Sequence, residues 1–335
     1  MSDYKTILVT GGAGFVGSHI VDGLVRNFPD ATIKVIDKLT YAGDTHNLSD
    51  ALAKPNVSLV VGDICDWDFV EMQMAGIDLV VHAAAESHVD RSFNNAPVFM
   101  QTNIIGSQYV LEACRIQNVK KLIHISTDEV YGTVLEGYKT EGQTLDPTNP
   151  YAASKAAADM LIQANVHAYG QPVVVVRPNN IFGTRQWPEK LLPKFILCLI
   201  NGMPLPVHGN GSQTRTFLSV HDLVNAIVLL IDRGENGQIY NIGTEEEYSV
   251  LDIVRVLCRA FRKEPGDYLK YVEDRPFNDM RYGIGTAKIR ELGWQPCDNL
   301  MDSLSEIIDW HQSNYDRLME KIVQDSDFKL LAALE

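Results

Sequence analysis

The chain has 335 residues, 45% of them hydrophobic and 8% aromatic, enough apolar material for one large folded unit or two smaller fused ones. Asp plus Glu number 43 against 29 for Lys plus Arg, a formal net charge of −14. That balance argues against nucleic acid as a partner and means that a phosphorylated ligand would need a local basic pocket. No apolar run reaches the 18 residues of a membrane span, so none is expected.

The opening residues Met1-Ser2-Asp3-Tyr4-Lys5 lack the apolar stretch of a signal peptide. Cys65, Cys114, Cys198, Cys258 and Cys297 are scattered, with no Cys-x-x-Cys pair. Neither a zinc site nor a disulfide framework is expected, and reduced thiols in a cytoplasmic protein are. Thr6–Thr10, Ile33–Ile36, Ser58–Val61, Asp78–His82, Leu122–Ser126 and Val173–Val176 are continuous apolar runs. Such runs suit strands of a sheet covered on both faces. Val16–Asn27, Pro97–Gln117 and Tyr151–Tyr169 between them have helical spacing. Strand and helix in alternation predict an α/β fold, a doubly wound parallel sheet of Rossmann type. Beyond residue 180, Gly and Pro become frequent and the pattern loosens. The expected division is a sheet unit over 1–180 carrying the catalytic residues, a smaller mixed α/β substrate lobe over 181–318 at the sheet's carboxyl edge, and a helical or frayed tail over 319–335.

The first strand runs into Thr10-Gly11-Gly12-Ala13-Gly14-Phe15-Val16-Gly17. Gly11 permits a tight turn, Gly14 lets the backbone approach a diphosphate, and Gly17 lets the helix pack close to the strand. The helix start, with Phe15 and Val16, then offers free N–H groups to phosphates. Asp37 ends the second strand, 20 residues after Gly17, where a carboxylate accepts hydrogen bonds from an adenosine ribose. Its charge would repel a 2′-phosphate, so NAD is expected rather than NADP; Lys38 follows directly. Asp63 and Ile64 after the third strand are placed to meet an adenine. Ala83 and Ala84, continued by Ala85, are small enough to let a cofactor lie against the backbone.

Tyr151 and Lys155 form Tyr-x-x-x-Lys on a predicted helix, so phenol and ammonium share one face. The nearby cation is expected to lower the tyrosine pKa and make it a general base towards an alcohol. Ser126-Thr127-Asp128-Glu129 follows the fifth strand at the carboxyl edge of the sheet. Thr127 can hold a substrate oxygen. A simple alcohol oxidation needs only the tyrosine, so Asp128 and Glu129 imply two further proton transfers, the number a dehydration requires.

These residues resemble an extended short-chain dehydrogenase/reductase: TGGAGFVG, HAAAESHVDRS (82–92), STDEVYG (126–132), YAASK (151–155) and RPNNIFG (177–183). ESHVDRS, STDEVYG and WPEKLLP (187–193) are similar to the dTDP-glucose 4,6-dehydratases and the related plant-type UDP-glucose 4,6-dehydratases. The resemblance runs from about residue 5 to about residue 312. It implies oxidation of the glucose 4-hydroxyl by Tyr151 with Lys155, Thr127 and NAD. Glu129 then removes the C5 proton, Asp128 protonates the departing 6-hydroxyl, and the hydride returns to C6. It further implies substrate contacts at Ser87, Thr127, Asn180, Glu189, Lys190, Leu191, Arg215, Asn241, Arg275 and Asn278, with the two arginines on the diphosphate. Taken alone, either arginine reads equally as a surface ion pair, and Asn180 as a turn residue. The bacterial dTDP-glucose enzymes commonly carry histidine where Asn278 stands, and RPFNDMRY looks more like the eukaryotic and plant relatives, which leaves dTDP and UDP open.

The family usually forms homodimers through two helices, here about 97–117 and 151–169. Those helices could equally pack only on their own sheet. Rival readings are a sugar-nucleotide 4-epimerase, against which the Asp128-Glu129 doublet argues, a UDP-glucuronate decarboxylase, whose equivalent loop usually lacks the aspartate, and a non-catalytic NAD sensor, against which the intact set argues.

Overall fold

The computed structural model describes residues 4–325. Its strands are β1 Thr6–Thr10, β2 Thr32–Asp37, β3 Val57–Val61, β4 Leu79–His82, β5 Lys121–Ile125, β6 Val173–Pro178, β7 Asn180–Phe182, β8 Leu205–His208, β9 Thr214–Ser219, β10 Ile239–Ile242, β11 Glu247–Ser249 and β12 Leu269–Val272. Seven of them form one sheet in the order β10-β6-β5-β4-β1-β2-β3, and every neighbouring pair is parallel. All six apolar runs are strands of this sheet, which confirms the doubly wound fold.

Both faces of the sheet are apolar because successive side chains point to opposite sides. Ile7 and Val9 of β1 face one core with Val21 and Leu24 of the helix Phe15–Asn27 and with Leu223 and Ile227 of the helix Val220–Arg233. Leu8 faces the other core, with Val70 and Met74 of the helix Trp67–Met74 and Val110 of the helix Ser107–Ile116. The expected helix over 97–117 is present in three pieces, Ala96–Phe99, a wide π-helical stretch Met100–Gly106, and Ser107–Ile116. The helix Pro150–Tyr169 is capped by the Asn149 side chain, starts with a proline, and stops at Gly170 in the left-handed region.

The sheet does not stop at residue 180. Its edge strand β10 and the helix Val220–Arg233 come from the region expected to form the second lobe. That lobe has its own core, in which Phe195, Leu257, Leu304, Leu318 and Ile322 are buried. Leu318 and Ile322 belong to the helix Tyr315–Gln324, so this part of the expected tail is packed; residues 326–335 lie outside the described residues. Among the described residues, no helix is long and apolar enough to cross a membrane, and no His, Cys, Asp and Glu cluster is arranged for a metal ion.

Candidate active site

A cavity of about 470 Å³ opens along the carboxyl ends of the sheet strands. One wall is the glycine turn. Gly11 has φ +68°, and a Cβ there would lie 2.6 Å from the Ala84 Cα; a Cβ on Gly17 would lie 2.1 Å from the Gly11 carbonyl oxygen. No other residue fits either position without moving backbone. Gly14, Phe15, Val16 and Gly17 line the cavity at the helix start. Asp37 is beside them. Its carboxylate accepts from the Ala13 N–H at 2.9 Å and the Leu39 N–H at 2.8 Å, while burial raises its pKa. Lys38 pairs with Asp63 at 2.6 Å, and Ile64 follows on the same wall, with Ala83, Ala84 and Ala85 opposite. Every residue expected to meet a dinucleotide therefore lines this cavity.

The chemical corner lies between β5 and the helix Pro150–Tyr169. Thr127, Glu129, Tyr151 and Lys155 line the cavity. The Thr127 hydroxyl accepts from the Glu129 N–H at 3.3 Å and so caps the short helix Asp128–Tyr131. Glu129 is held by the Asn149 side chain at 3.3 Å. Burial raises its pKa, with Lys190 and Arg215 opposing. The Lys155 ammonium donates to the Ile125 carbonyl at 2.7 Å, and burial pushes its pKa down to about 8, with Asp159 opposing.

Two expectations need correction here. The Tyr151 phenol is shifted upward, not downward, by burial and then by the Glu129 charge, with the Thr127 hydroxyl opposing. The desolvation of the corner is the dominant effect on the phenol. Asp128 is not on the cavity wall. It is 1% exposed, and its carboxylate accepts from the Asn179 side chain at 2.7 Å, with Asn179 forming the wall. Burial, reinforced by Glu129, pushes its pKa up to about 7.

The far wall is built from side chains distant in sequence. Ser87, Asn180, Glu189, Lys190 and Leu191 line it. The Lys190 ammonium donates to the Ser87 carbonyl at 2.6 Å, and Glu189 accepts from Arg91 at 2.8 Å and from the Tyr41 hydroxyl at 3.1 Å. Arg215, Arg275 and Asn278 complete it. Arg215 donates to Asn278 at 3.3 Å, and Arg275 is both a wall residue and an ion pair, 2.6 Å from Asp90. Asn241 is the residue that the structure removes from the wall. It is wholly buried in β10, accepts from the Tyr131 hydroxyl at 2.9 Å, and donates to the Lys139 and Gly285 carbonyls at 3.1 and 3.2 Å. Its amide is used up inside the fold.

Several wall or support residues escaped the sequence reading. Asn149 caps the helix Pro150–Tyr169 through its oxygen, 2.8 Å from the Ala152 N–H, and holds Glu129 through its nitrogen. A cap residue just before Pro150 was a visible signal for the first role and not for the second. Asn103, in the π-helical stretch, clamps Glu86 through both its backbone groups at 2.9 Å and donates to Ser154 at 2.8 Å. Nothing local marks it.

Residues 7–243 match the model of the NAD dependent epimerase/dehydratase family. The chain belongs to that family. Within the epimerase/dehydratase family it is 41% identical to the mouse (Mus musculus) dTDP-D-glucose 4,6-dehydratase over 93% of this chain and 90% of that protein. It is 44% identical to the Arabidopsis thaliana trifunctional UDP-glucose 4,6-dehydratase/UDP-4-keto-6-deoxy-D-glucose 3,5-epimerase/UDP-4-keto-L-rhamnose-reductase RHM2, over 92% of this chain. It spans only about half, 47%, of that plant protein's length. Among solved structures it resembles the dTDP-glucose 4,6-dehydratase DesIV of Streptomyces venezuelae, crystallised with NAD. The TM-score is 0.90 and the identity 39%, covering 93% of this chain and 98% of that one.

Proposed function

We propose that this chain is a nucleoside-diphosphate-glucose 4,6-dehydratase that removes water from dTDP-glucose or UDP-glucose to give the 4-keto-6-deoxy sugar nucleotide. The observation that carries the reading is the corner itself: a buried Tyr-x-x-x-Lys pair with two adjacent buried acids, one on the wall and one behind it.

The residues fit NAD as the resident cofactor. The two positions without room for a Cβ keep the glycine turn open to a diphosphate at the start of the helix Phe15–Asn27. Asp37 ends β2 on the same wall, where its carboxylate would take the adenosine ribose and repel a 2′-phosphate. When bound, NAD would supply a reversible acceptor for the hydride of the sugar.

The chain's own groups do the rest. Thr127 holds the 4-oxygen. Tyr151 takes the 4-hydroxyl proton, and Lys155 stabilises the phenolate. The 4-keto group acidifies C5, and Glu129, which lines the cavity, removes that proton and returns it to C5 when C6 is reduced. Asp128, with a pKa near 7, retains a protonated fraction at neutral pH and delivers a proton to the departing 6-hydroxyl through a small movement past Asn179. Arg215 and Arg275 supply the basic pocket for the diphosphate that the acidic chain as a whole withholds. Ser87, Asn180, Glu189, Lys190, Leu191 and Asn278 surround the sugar and the rest of the nucleotide.

The test is incubation with dTDP-glucose and UDP-glucose side by side, followed by alkali. Near-ultraviolet absorbance of a 4-keto-6-deoxy sugar is expected, and the faster substrate names the nucleotide. An epimerised or unchanged sugar from both would refute the lyase reading.

A homodimer is part of the proposal. Ile105 and Met160, on the helical segments around 96–116 and 150–169, are 39% and 67% exposed, which suits a face closed by a second copy. Light scattering at the mass of one chain would rule it out. All five cysteines are unbridged, in keeping with a reducing, cytoplasmic setting.

A further inference from the structure

A buried ionic chain lies beneath the corner and touches no part of the cavity. Asp159 and Arg177 are 1% and 2% exposed. Arg177 leaves β6, and its Nε donates to an Asp159 carboxylate oxygen at 2.8 Å. A terminal nitrogen of the same guanidinium donates to the Tyr131 hydroxyl at 2.7 Å, and its carbon lies 4.9 Å from the centroid of the Tyr131 ring. Tyr131 passes the chain on to Asn241, which is fixed in β10.

These partners belong to the two catalytic elements. Asp159 lies four residues beyond Lys155 and eight beyond Tyr151, on the same face of one helix. Tyr131 closes the short helix that carries both acids. One guanidinium thus joins the element bearing phenol and ammonium to the element bearing the acids. A buried pair of this kind is a poor source of stability, because desolvation offsets the attraction.

The charges around the Lys155 ammonium single out Asp159. His82 of β4 and His124 of β5 interact with its charge, Arg177 lies beyond on β6, Tyr151 is on its own helix, and Asp128 and Glu129, on the short helix packed against that one, act on Tyr151. Burial holds His82 down to about 3 and His124 well below its ordinary value, so both are neutral. His124 Nε2 is 3.8 Å from Asp159. The one anion among these neighbours that favours a protonated lysine is Asp159.

We propose that Asp159 and Arg177 are positioning residues: the Asp159 carboxylate, bound to Arg177 and one helical turn beyond Lys155, acts on the Lys155 ammonium through space as its nearest anionic support, and Arg177 locks the Thr127–Tyr131 turn against the helix Pro150–Tyr169. The inference rests on the dehydratase reading, in which Lys155 supports Tyr151. If the unaltered protein makes no 4-keto-6-deoxy sugar, that reading fails first; the variants below decide the positioning role separately.

The experiment follows the oxidation step alone, as cofactor reduction in a Glu129→Gln background that stops elimination, as a function of pH. Its alkaline limb should follow Lys155. In Asp159→Asn/Arg177→Met, a neutral pair of similar shape, the limb should fall by about one pH unit, and Asp159→Glu should keep it in place. The same shift should be visible without turnover. The Tm difference between each protein and its Lys155→Met partner should begin to change about one pH unit lower in the double variant. A limb at the unaltered position with only a lowered Tm would overturn the proposal. If the double variant does not fold, Arg177→Lys serves instead, since it keeps the charge but cannot form both hydrogen bonds. Complete dehydration slowed roughly tenfold with KM unchanged supports the lock, and dehydration at the unaltered rate refutes it.

Discussion

The two walls of the cavity are made differently. The wall for the cofactor consists of strand ends and one glycine turn, fixed by backbone: Gly11 and Gly17 have no room for a side chain, and Asp37 is held by two main-chain N–H groups. The wall proposed for the sugar nucleotide is assembled from side chains that meet across long stretches of sequence, such as Arg275 with Asp90, 185 residues apart. A wall of backbone tolerates few substitutions and is specified locally. A wall of paired side chains can be retuned one residue at a time, which is where a choice between thymidine and uridine nucleotides would be made.

Four substitutions probe that contrast, beginning with the corner where the walls meet. Tyr151→Phe should slow cofactor reduction by on the order of 10²–10⁴-fold, measured in a single turnover; unchanged hydride transfer would contradict its role as base. Asp128→Asn should slow elimination by about 10²-fold while sparing oxidation, so reduced cofactor accumulates during turnover. Normal dehydration without that build-up would remove Asp128 from the mechanism. Gly17→Ala, on the backbone wall, should lose bound NAD and destabilise the fold by about 1–3 kcal/mol, read by cofactor content and Tm. Arg215→Met, on the side-chain wall, should raise KM by roughly tenfold, the loss expected for a charged hydrogen bond, with NAD content unaltered. If the last two effects were exchanged, the contrast between the walls would be wrong.

The smallest expected effect concerns pH. The Asp128 pKa is raised in the folded chain, from 3.8 to about 7. The folded state therefore holds this proton more tightly than the unfolded state does. The resulting stabilisation is fully present below the unfolded value and is lost as the pH rises through about 7. Asp128→Asn should thus raise Tm in mildly alkaline buffer and give no gain in acid. Dehydration by the unaltered protein should weaken over the same rise, as the acid loses its proton.

The contrast also explains what could be read in advance. The six sheet strands of the first half and the three helices between them were legible because periodicity and glycine spacing are local signals, and each cofactor-wall residue follows from its place at a strand end. The proposed sugar wall was legible only through family resemblance, and there Asn241 was misplaced, because whether an amide faces a cavity or is consumed by Lys139 and Gly285 depends on contacts that no short segment encodes. The Tyr151 shift went the wrong way for the same reason. The lysine partner is visible in Tyr-x-x-x-Lys, whereas the depth of burial and the nearby Glu129 charge are not.

The position of β10 bears on how the chain is made. Until Ile239–Ile242 has left the ribosome, β6 is a bare outer edge offering unpaired peptide groups. The nascent first half therefore carries an adhesive border through the synthesis of some sixty further residues, and any shortened transcript ending within that interval would yield a species prone to self-association.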